Sequence, residues 1–300
     1  MTEAFGPQRW AVQLTTLLNA AYGLDHFPIN VPEIARDYSA QRFPGDAITL
    51  VKGDSLPGFD GALYRAPAGK TGWGIVYNSA ITSRGRINFT LAHELGHYLL
   101  HRTQFPKGIR CGEQDIVRWD SEYGQIEHQA NQFAAYLLMP FDDFRRQIDP
   151  KARIDLDAIS HCADRYQVSL IAAILRWLHY TARRAVLVVS RDDFILWSRA
   201  SESALKTGAF FRTSRGPIEI PPESLAATRD LLAPGRTGVL HGPGVWFPEE
   251  VREMTIFSEQ YEFVVTLLLM EDAGRHIPTD PDPEEDTFDR MTRGPVPRST

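Results

Sequence analysis

The sequence predicts an α+β protein with a small antiparallel sheet, several helices and a second, C-terminal group of strands. Two observations lead to this prediction. Helical spacing and short β-type runs alternate in the first half of the chain, and two further pairs of β-type runs follow residue 184. With 300 residues, 43% hydrophobic and 23% charged, the chain has a globular composition and room for two to three domains. A wholly disordered or fibrous chain is excluded.

The N-terminal part is predicted to contain two helices followed by a small sheet. Residues 8–22 carry apolar side chains at helical spacing before Gly23, and Pro32-Glu33 is typical of a second helix start. The turn residues that follow indicate a small, mostly antiparallel sheet, built from short β-type runs at 48–51, 61–64 and 74–77. We expect residues 74–78 to form an edge strand of this sheet.

The rest of the chain is predicted to be helical up to residue 183 and then mixed. Helical spacing covers the stretches 89–101, 121–138, 156–166 and 169–179, and two strand pairs follow within 185–197 and 254–269. The end of the chain is rich in Pro, Asp and Glu, which is typical of disorder. We therefore expect a first domain at residues 1–145 and a helix-turn-helix-like segment at 146–183. A small α/β domain at 184–272 and a disordered tail at 273–300 should follow.

Charge and cysteine content limit the compartment and the partners. The chain has 32 Lys and Arg against 38 Asp and Glu, a net charge of −6, so it lacks the basic excess typical of proteins that bind duplex DNA or anionic membranes. Only two cysteines are present, which favours a reducing compartment. No signal peptide and no apolar run of about 20 residues is found. We expect a cytoplasmic protein with no membrane partner.

The chemical signal is the run His93-Glu94-Leu95-Gly96-His97 within the predicted helix 89–101. Residues four apart project from one face of a helix, so His93 and His97 can both bind a single metal ion. Glu94 lies about 100° further round the helix axis, so it can act as a general base towards water at the metal without being a ligand.

A catalytic metal site that leaves one position open for water needs a third protein ligand. His101 lies about 12 Å along the same helix from His93, too far to share the ion. Glu127 on the next predicted helix is the better candidate, and Asn131 on its face could accept the outward N–H of a ligating histidine. Two histidines and a glutamate are a ligand set of zinc hydrolases, with manganese as an alternative.

Two motifs in this order resemble the ImmA/IrrE family of bacterial and phage metallopeptidases. The first is the stretch 86–101 around the HELGH run, and the second is Glu127-x-x-Ala130-Asn131 with the residues up to Pro140. The resemblance spans roughly residues 29–180 and implies a zincin-like metallopeptidase core. It also implies that His93, His97 and Glu127 are metal ligands and that Glu94 is the catalytic base.

The resemblance also implies a biological role. Family members cleave helix-turn-helix repressors, often encoded beside them, and so induce stress-response or mobile-element genes. We expect a metalloendopeptidase that makes site-specific cuts in a separately encoded XRE-type repressor or antitoxin. An extended substrate could pair with the strand at 74–78. Residues 184–272 occupy the place where some members carry a GAF-like sensor domain, which suggests a small-molecule effector.

Several features leave alternatives open. The oxyanion of peptide hydrolysis needs a stabilising group besides the metal, and the sequence does not choose among Tyr98, His101, Tyr123 and Tyr136. The helix pair 156–179 carries acidic residues that oppose phosphates, so packing or protein contact is favoured over direct DNA binding. Besides a protease, the chain could be a non-proteolytic regulator that sequesters its repressor or antitoxin partner and uses the metal structurally.

Overall fold

The computed structural model describes residues 5–112, 122–258 and 262–271, and of 110–112 and 122–123 the backbone alone. It is an α+β structure, which confirms the predicted class. The described residues fall into two compact units, one of residues 5–143 and 164–169 and the other of residues 144–163 and 170–271. The predicted domain boundaries at 145, 183 and 272 stay predictions. The predicted disordered tail 273–300 lies outside the described residues.

The first unit contains four helices and four strands. The helices are α1 (Pro7–Tyr22), α2 (Val31–Arg42), α3 (Arg84–His101) and α4 (Glu122–Leu138), and the strands are β1 (Ile48–Asp54), β2 (Phe59–Arg65), β3 (Trp73–Asn78) and β4 (Gly108–Gly112). Polar caps fix two helix starts, because the Asn30 side chain accepts the Glu33 N–H and the Ser83 hydroxyl accepts the Arg86 N–H. The second of these caps starts the helix that carries the HELGH run.

The sheet of this unit has the strand order β1-β3-β2-β4. β3 is parallel to β1 and antiparallel to β2, and β4 is antiparallel to β2, so the sheet is mostly antiparallel as predicted. The expectation that residues 74–78 form an edge strand is wrong, because β3 is hydrogen-bonded on both sides. Its residues from Trp73 to Val76 are all buried, as expected for a central strand. The sequence does not predict β4, because Pro106-Lys107-Gly108 before it indicates a loop.

α3 lies between the sheet and α4. α3 contacts β2 and β3 on one side and α4 on the other. At Gly96 a Cβ atom would lie 2.9 Å from Phe133 Cδ1 and 3.2 Å from Ala130 Cα, so α4 packs directly against this glycine. Small residues thus allow α3 and α4 to approach each other closely.

The short segment 164–169 packs against the start of α3. The Asn88 amide donates to the carbonyl oxygens of Tyr166 and Gln167, and a Cβ atom at Gly85 would meet the backbone of Val168. The Tyr166 hydroxyl donates to Asp143 at 2.6 Å. The contacts of Asn88 and Gly85 hold the N-terminal turns of α3 in place. The HELGH run lies further along the same helix.

Helices α5 (Phe141–Gln147), α6 (Leu156–Tyr166) and α7 (Leu170–Leu178) follow in the chain, close to the bounds that the sequence predicts for the pair 156–166 and 169–179. No helix of the described residues combines the length and the apolar character that a bilayer crossing requires.

The second unit is built on a five-stranded antiparallel sheet with the order β6-β5-β9-β8-β7. Its strands are β5 (Arg184–Arg191), β6 (Phe194–Ala200), β7 (Val239–His241), β8 (Val251–Ser258) and β9 (Phe263–Met270), with short helices α8 (Glu202–Leu205) and α9 (Leu225–Thr228). Asp192 and Asp193 both have positive φ, which closes the β5–β6 hairpin tightly. Both predicted strand pairs are confirmed.

Candidate metal centre

α3 places His93 and His97 one turn apart on the side of the helix that faces α4. The two ring centroids are 4.5 Å apart, and the His93 and His97 Nε2 atoms approach to 2.9 Å. Both side chains are buried, and His97 is completely enclosed. The predicted i, i+4 pair is therefore formed with its ring nitrogens converging.

α4 brings Glu127 to the same point. One carboxylate oxygen of Glu127 lies 3.2 Å from His93 Nε2, and the other lies 3.2 Å from His97 Nε2. Within the described part of the chain, His93, His97 and Glu127 form a group that could hold a metal ion, because their possible ligand atoms all lie within 4.8 Å of one another. The close contact of the two helices at Gly96 makes this approach possible.

The chemistry of the three side chains fits a metal ion. Ligands about 2.0–2.1 Å from a tetrahedral zinc ion lie about 3.3 Å from one another, and the distances here are 2.9 and 3.2 Å. Two imidazole lone pairs and a carboxylate repel one another in a buried space unless a cation lies between them. The arrangement therefore suits zinc, with three protein ligands and a fourth direction left over.

The outward nitrogen of His93 has the partner that the sequence predicts. His93 Nδ1 lies 2.9 Å from Asn131 Oδ1, on the turn of α4 after Glu127. Because an amide oxygen only accepts, His93 carries a proton on Nδ1, and in the neutral ring the Nε2 lone pair is directed at Glu127 and His97. Asn131 thus lies where it would fix the tautomer of His93 if that histidine binds a metal ion.

The outward nitrogen of His97 has a partner that the sequence does not assign. His97 Nδ1 lies 3.0 Å from His101 Nδ1, and His101 Nε2 lies 2.9 Å from Gln129 Oε1. His101 is only 2% exposed, with both ring nitrogens engaged. The suggestion that His101 contacts the substrate oxyanion is therefore corrected, since it lies behind His97. The i, i+4 spacing from His97 is the signal that could have indicated this contact.

The surroundings set the protonation states of the cluster. Burial, helped by the neighbouring His93, lowers the pKa of His97 to about 4. Burial alone would raise the pKa of Glu127, but its contacts with His93 and His97 outweigh burial and hold that pKa well below its usual range. Burial opposes a charge on His93, yet Glu127 and Glu94 raise its pKa. These shifts favour an anionic Glu127 and a neutral His97, which are the protonation states that metal binding would require.

Glu94 lies on α3 between the two histidines, on the side that faces β2. It is fully buried. A Cβ atom at Gly61 of β2 would lie 2.6 Å from Glu94 Oε1 and 2.5 Å from Thr90 Cγ2, so the carboxylate occupies space that a side chain on β2 would fill. The strand beside β2 in the sheet is β4, and it contacts α4, because Ile109 of β4 packs with Ile126 of α4.

Comparison with known proteins agrees with this geometry. Residues 49–178 match the family model for the peptidase M78 domain described as IrrE N-terminal-like. These residues are a domain of the ImmA/IrrE metallopeptidase family. The match confirms the resemblance that the two motifs indicate, and it includes both helices that carry the converging side chains. No curated protein matches the chain.

Two of the tyrosine candidates make contacts away from the three converging side chains. The Tyr98 hydroxyl donates to the Asp46 carbonyl at 2.9 Å inside the core, and burial raises its pKa to about 12. Tyr136 lies nine positions after Glu127, on the opposite face of α4 and about 13 Å further along, where it packs against Phe141. Both suggestions as oxyanion partners are corrected on these grounds.

The fourth candidate, Tyr123, belongs to α4 one turn before Glu127. Its side chain lies outside the described residues, and its role as an oxyanion partner stays a prediction. Cys162 is buried, and the side chain of Cys111 lies outside the described residues.

Proposed function

We propose that the chain is a zinc-type metalloendopeptidase that makes site-specific cuts in a regulatory protein, and that manganese can replace zinc. The observation that carries this proposal is the convergence of His93 Nε2, His97 Nε2 and the Glu127 carboxylate in a buried space next to Glu94. Membership of residues 49–178 in a metallopeptidase family supports it. A zincin-like organisation of the first unit belongs to the same proposal.

The residues divide the chemical work. His93, His97 and Glu127 would hold zinc, which when bound polarises the scissile carbonyl and makes water more acidic. Glu94 takes a proton from the attacking water and delivers it to the leaving amide nitrogen. The C–O bond forms, the C–N bond breaks and the Glu94 carboxylate returns to its starting state, so no further reactant is needed.

The substrate approaches as an extended chain along β4. β4 ends the strand order of the sheet, so one edge of its backbone is not paired with another strand among the described residues. β4 also contacts α4 through Ile109 and Ile126, immediately before Glu127. A peptide added to this edge would pass the cluster with its backbone held by hydrogen bonds and its side chains alternating in direction.

The target that we propose is a separately encoded helix-turn-helix repressor or antitoxin, whose cleavage derepresses stress-response or mobile-element genes in the cytoplasm. The resemblance of the two motifs to ImmA/IrrE peptidases supports this target. The chain's own helix pair α6 and α7 is less suited to DNA, because α6 carries Asp157 and Asp164 and the chain is acidic overall. We therefore propose that this helix-turn-helix-like pair contacts protein.

The second unit is proposed to regulate the peptidase as a GAF-like domain that binds a small effector. The segment between β6 and β8 covers one face of its sheet, with Ala209, Ile220 and Trp246 packed over Val188 and Leu268. Such a covered antiparallel sheet is a suitable frame for a small ligand site. Cleavage rates that depend on an added metabolite would support this part of the proposal.

The decisive experiment uses Glu94→Gln, with the exposed Glu223→Gln as a matched control. Purified wild-type protein should contain about one zinc ion per chain and cut the repressor encoded beside it. Glu94→Gln should keep the metal and lose at least about 100-fold in kcat/KM, because the general base is gone. Glu223→Gln should behave as wild type.

Two outcomes would count against the protease. A wild-type chain that binds no divalent metal would remove the proposed site altogether. A Glu94→Gln variant that cuts as fast as wild type, or that releases an intact partner in cells as well as wild type does, would favour the non-proteolytic regulator instead.

A further inference from the structure

We propose that His101 and Gln129 are positioning residues that hold His97 in the one tautomer able to bind a metal ion. Three side chains from two helices form a continuous line, from His97 Nδ1 through His101 to Gln129 Oε1, with contacts of 3.0 and 2.9 Å. The inference rests on the proposed metal site and adds a second line of support, separate from the contact between Asn131 and His93.

Proton counting gives the line its direction. A neutral imidazole has one N–H and one lone pair, so His97 can offer its Nε2 lone pair only when Nδ1 carries the proton. That proton must be donated to the lone pair on His101 Nδ1. His101 then carries its own proton on Nε2 and donates it to the Gln129 amide oxygen. One arrangement satisfies all three groups.

The reverse direction would disable the site. If His101 donated from Nδ1, His97 would carry its proton on Nε2, directed at His93 Nε2 only 2.9 Å away. No lone pair of His97 would then face the cluster. Gln129 selects the productive direction, because its oxygen lies towards His101 and accepts the Nε2 proton.

Burial makes the selection strong. His97 is fully enclosed and His101 is 2% exposed, so water does not compete for their ring nitrogens. Gln129 stands two positions after Glu127 on α4. The same helix therefore supplies the third proposed ligand and the residue that orients the second, and a shift of α4 would disturb both at once.

The test is a metal-affinity series measured by competition with a chromophoric chelator. His101→Leu and Gln129→Leu should each weaken zinc binding about 10- to 100-fold, the usual effect of losing the partner of a ligating histidine. Gln129→Glu keeps an oxygen acceptor and should restore affinity to within a few-fold of wild type. His161→Leu, which removes an exposed histidine of α6, is the control and should leave affinity unchanged.

A second measurement reads the tautomer directly. In ¹⁵N-labelled wild-type protein loaded with zinc, imidazole NMR should show His97 protonated on Nδ1 and His101 protonated on Nε2. In Gln129→Leu the His101 signals should change to a mixture of tautomers. Because Gln129 is only partly buried, this variant should fold even if His101→Leu does not.

The outcomes separate the two proposals. Equal zinc affinity in wild type, His101→Leu and Gln129→Leu would overturn the positioning role and leave the metal centre standing. A wild-type chain that binds no zinc would instead overturn the proposed function. His97 protonated on Nε2 in the zinc-loaded protein would contradict both the line and its direction.

Discussion

Two buried carboxylates in this chain differ in the partners that surround them. Glu253 in the second unit is fully buried, and its oxygens accept from the Leu225 and Ala226 backbone N–H groups, the Trp246 indole and the Thr255 hydroxyl. Glu127 in the first unit is buried almost as deeply, but its oxygens face the Nε2 atoms of two histidines.

The difference shows how to separate a structural carboxylate from a binding site. Four protein donors hydrogen-bond the Glu253 oxygens, and His241 Nε2 lies 2.9 Å from one of them, so the burial of Glu253 is compensated within the fold. At Glu127 the neighbouring groups are two histidine Nε2 atoms, whose rings contact Asn131 and His101 through their outer nitrogens. A metal cation between the three groups would compensate that arrangement. The partners of a buried charge, more than its burial, therefore indicate its role.

Replacing Glu127 should give the largest effect and is the most direct way to break the comparison. Glu127→Ala removes the anionic ligand, so zinc affinity and kcat/KM should both fall by more than the about 100-fold that loss of an outer partner costs. Metal content after dialysis and cleavage of the repressor measure the two quantities. Stoichiometric zinc in Glu127→Ala would show that this carboxylate is structural, like Glu253.

A third buried carboxylate sharpens the comparison from the catalytic side. Gly61→Ala would place a methyl group on Glu94 Oε1 and displace the proposed base, so kcat should fall about 10- to 100-fold while zinc content stays at one ion per chain. Gly45→Ala, where a Cβ atom meets no neighbour, is the control. Unchanged kcat in Gly61→Ala would mean that the position of Glu94 is not critical.

The smallest effect on the metal centre is expected from Glu253→Gln. An amide nitrogen would face donors there, so we expect a loss of about 1–3 kcal/mol in the free energy of unfolding, with zinc affinity unaffected. Thermal melts beside the exposed Glu250→Gln variant would measure it. A loss of zinc in Glu253→Gln would contradict the division between structural and binding carboxylates.

Local pattern predicts much of the fold, and tertiary pairing explains what it misses. Helical spacing predicts α3 and α4, and short β-type runs predict both strand pairs of the second unit. The order of the strands cannot be predicted in this way, because no local signal shows that β3 pairs with β1. The edge assignment of residues 74–78 is therefore wrong. β4 is not predicted, because Pro106 and Gly108 near its start are typical of a loop.

The site shows the same division. Side chains on one helix face, such as His93 with His97 and Glu127 with Asn131, follow from spacing alone. Gln129 is not predicted, because its contact with His101 depends on the rotation of α4 relative to α3. The tyrosines are proposed because of their hydroxyl groups, and the sequence does not show where those groups point. Tyr98 lies in the core, where its hydroxyl donates a hydrogen bond to the Asp46 carbonyl oxygen.

The two helices that carry the proposed ligands are also distant in sequence, since His97 and Glu127 stand 30 positions apart. An ion held between them acts as a reversible cross-link across that stretch. Its binding free energy adds to folding stability, by about 2.7 kcal/mol when the free ion is at 100 times its dissociation constant. If the proposed site binds its ion, scarcity of that ion in the cell would destabilise the protein and also remove its proposed activity.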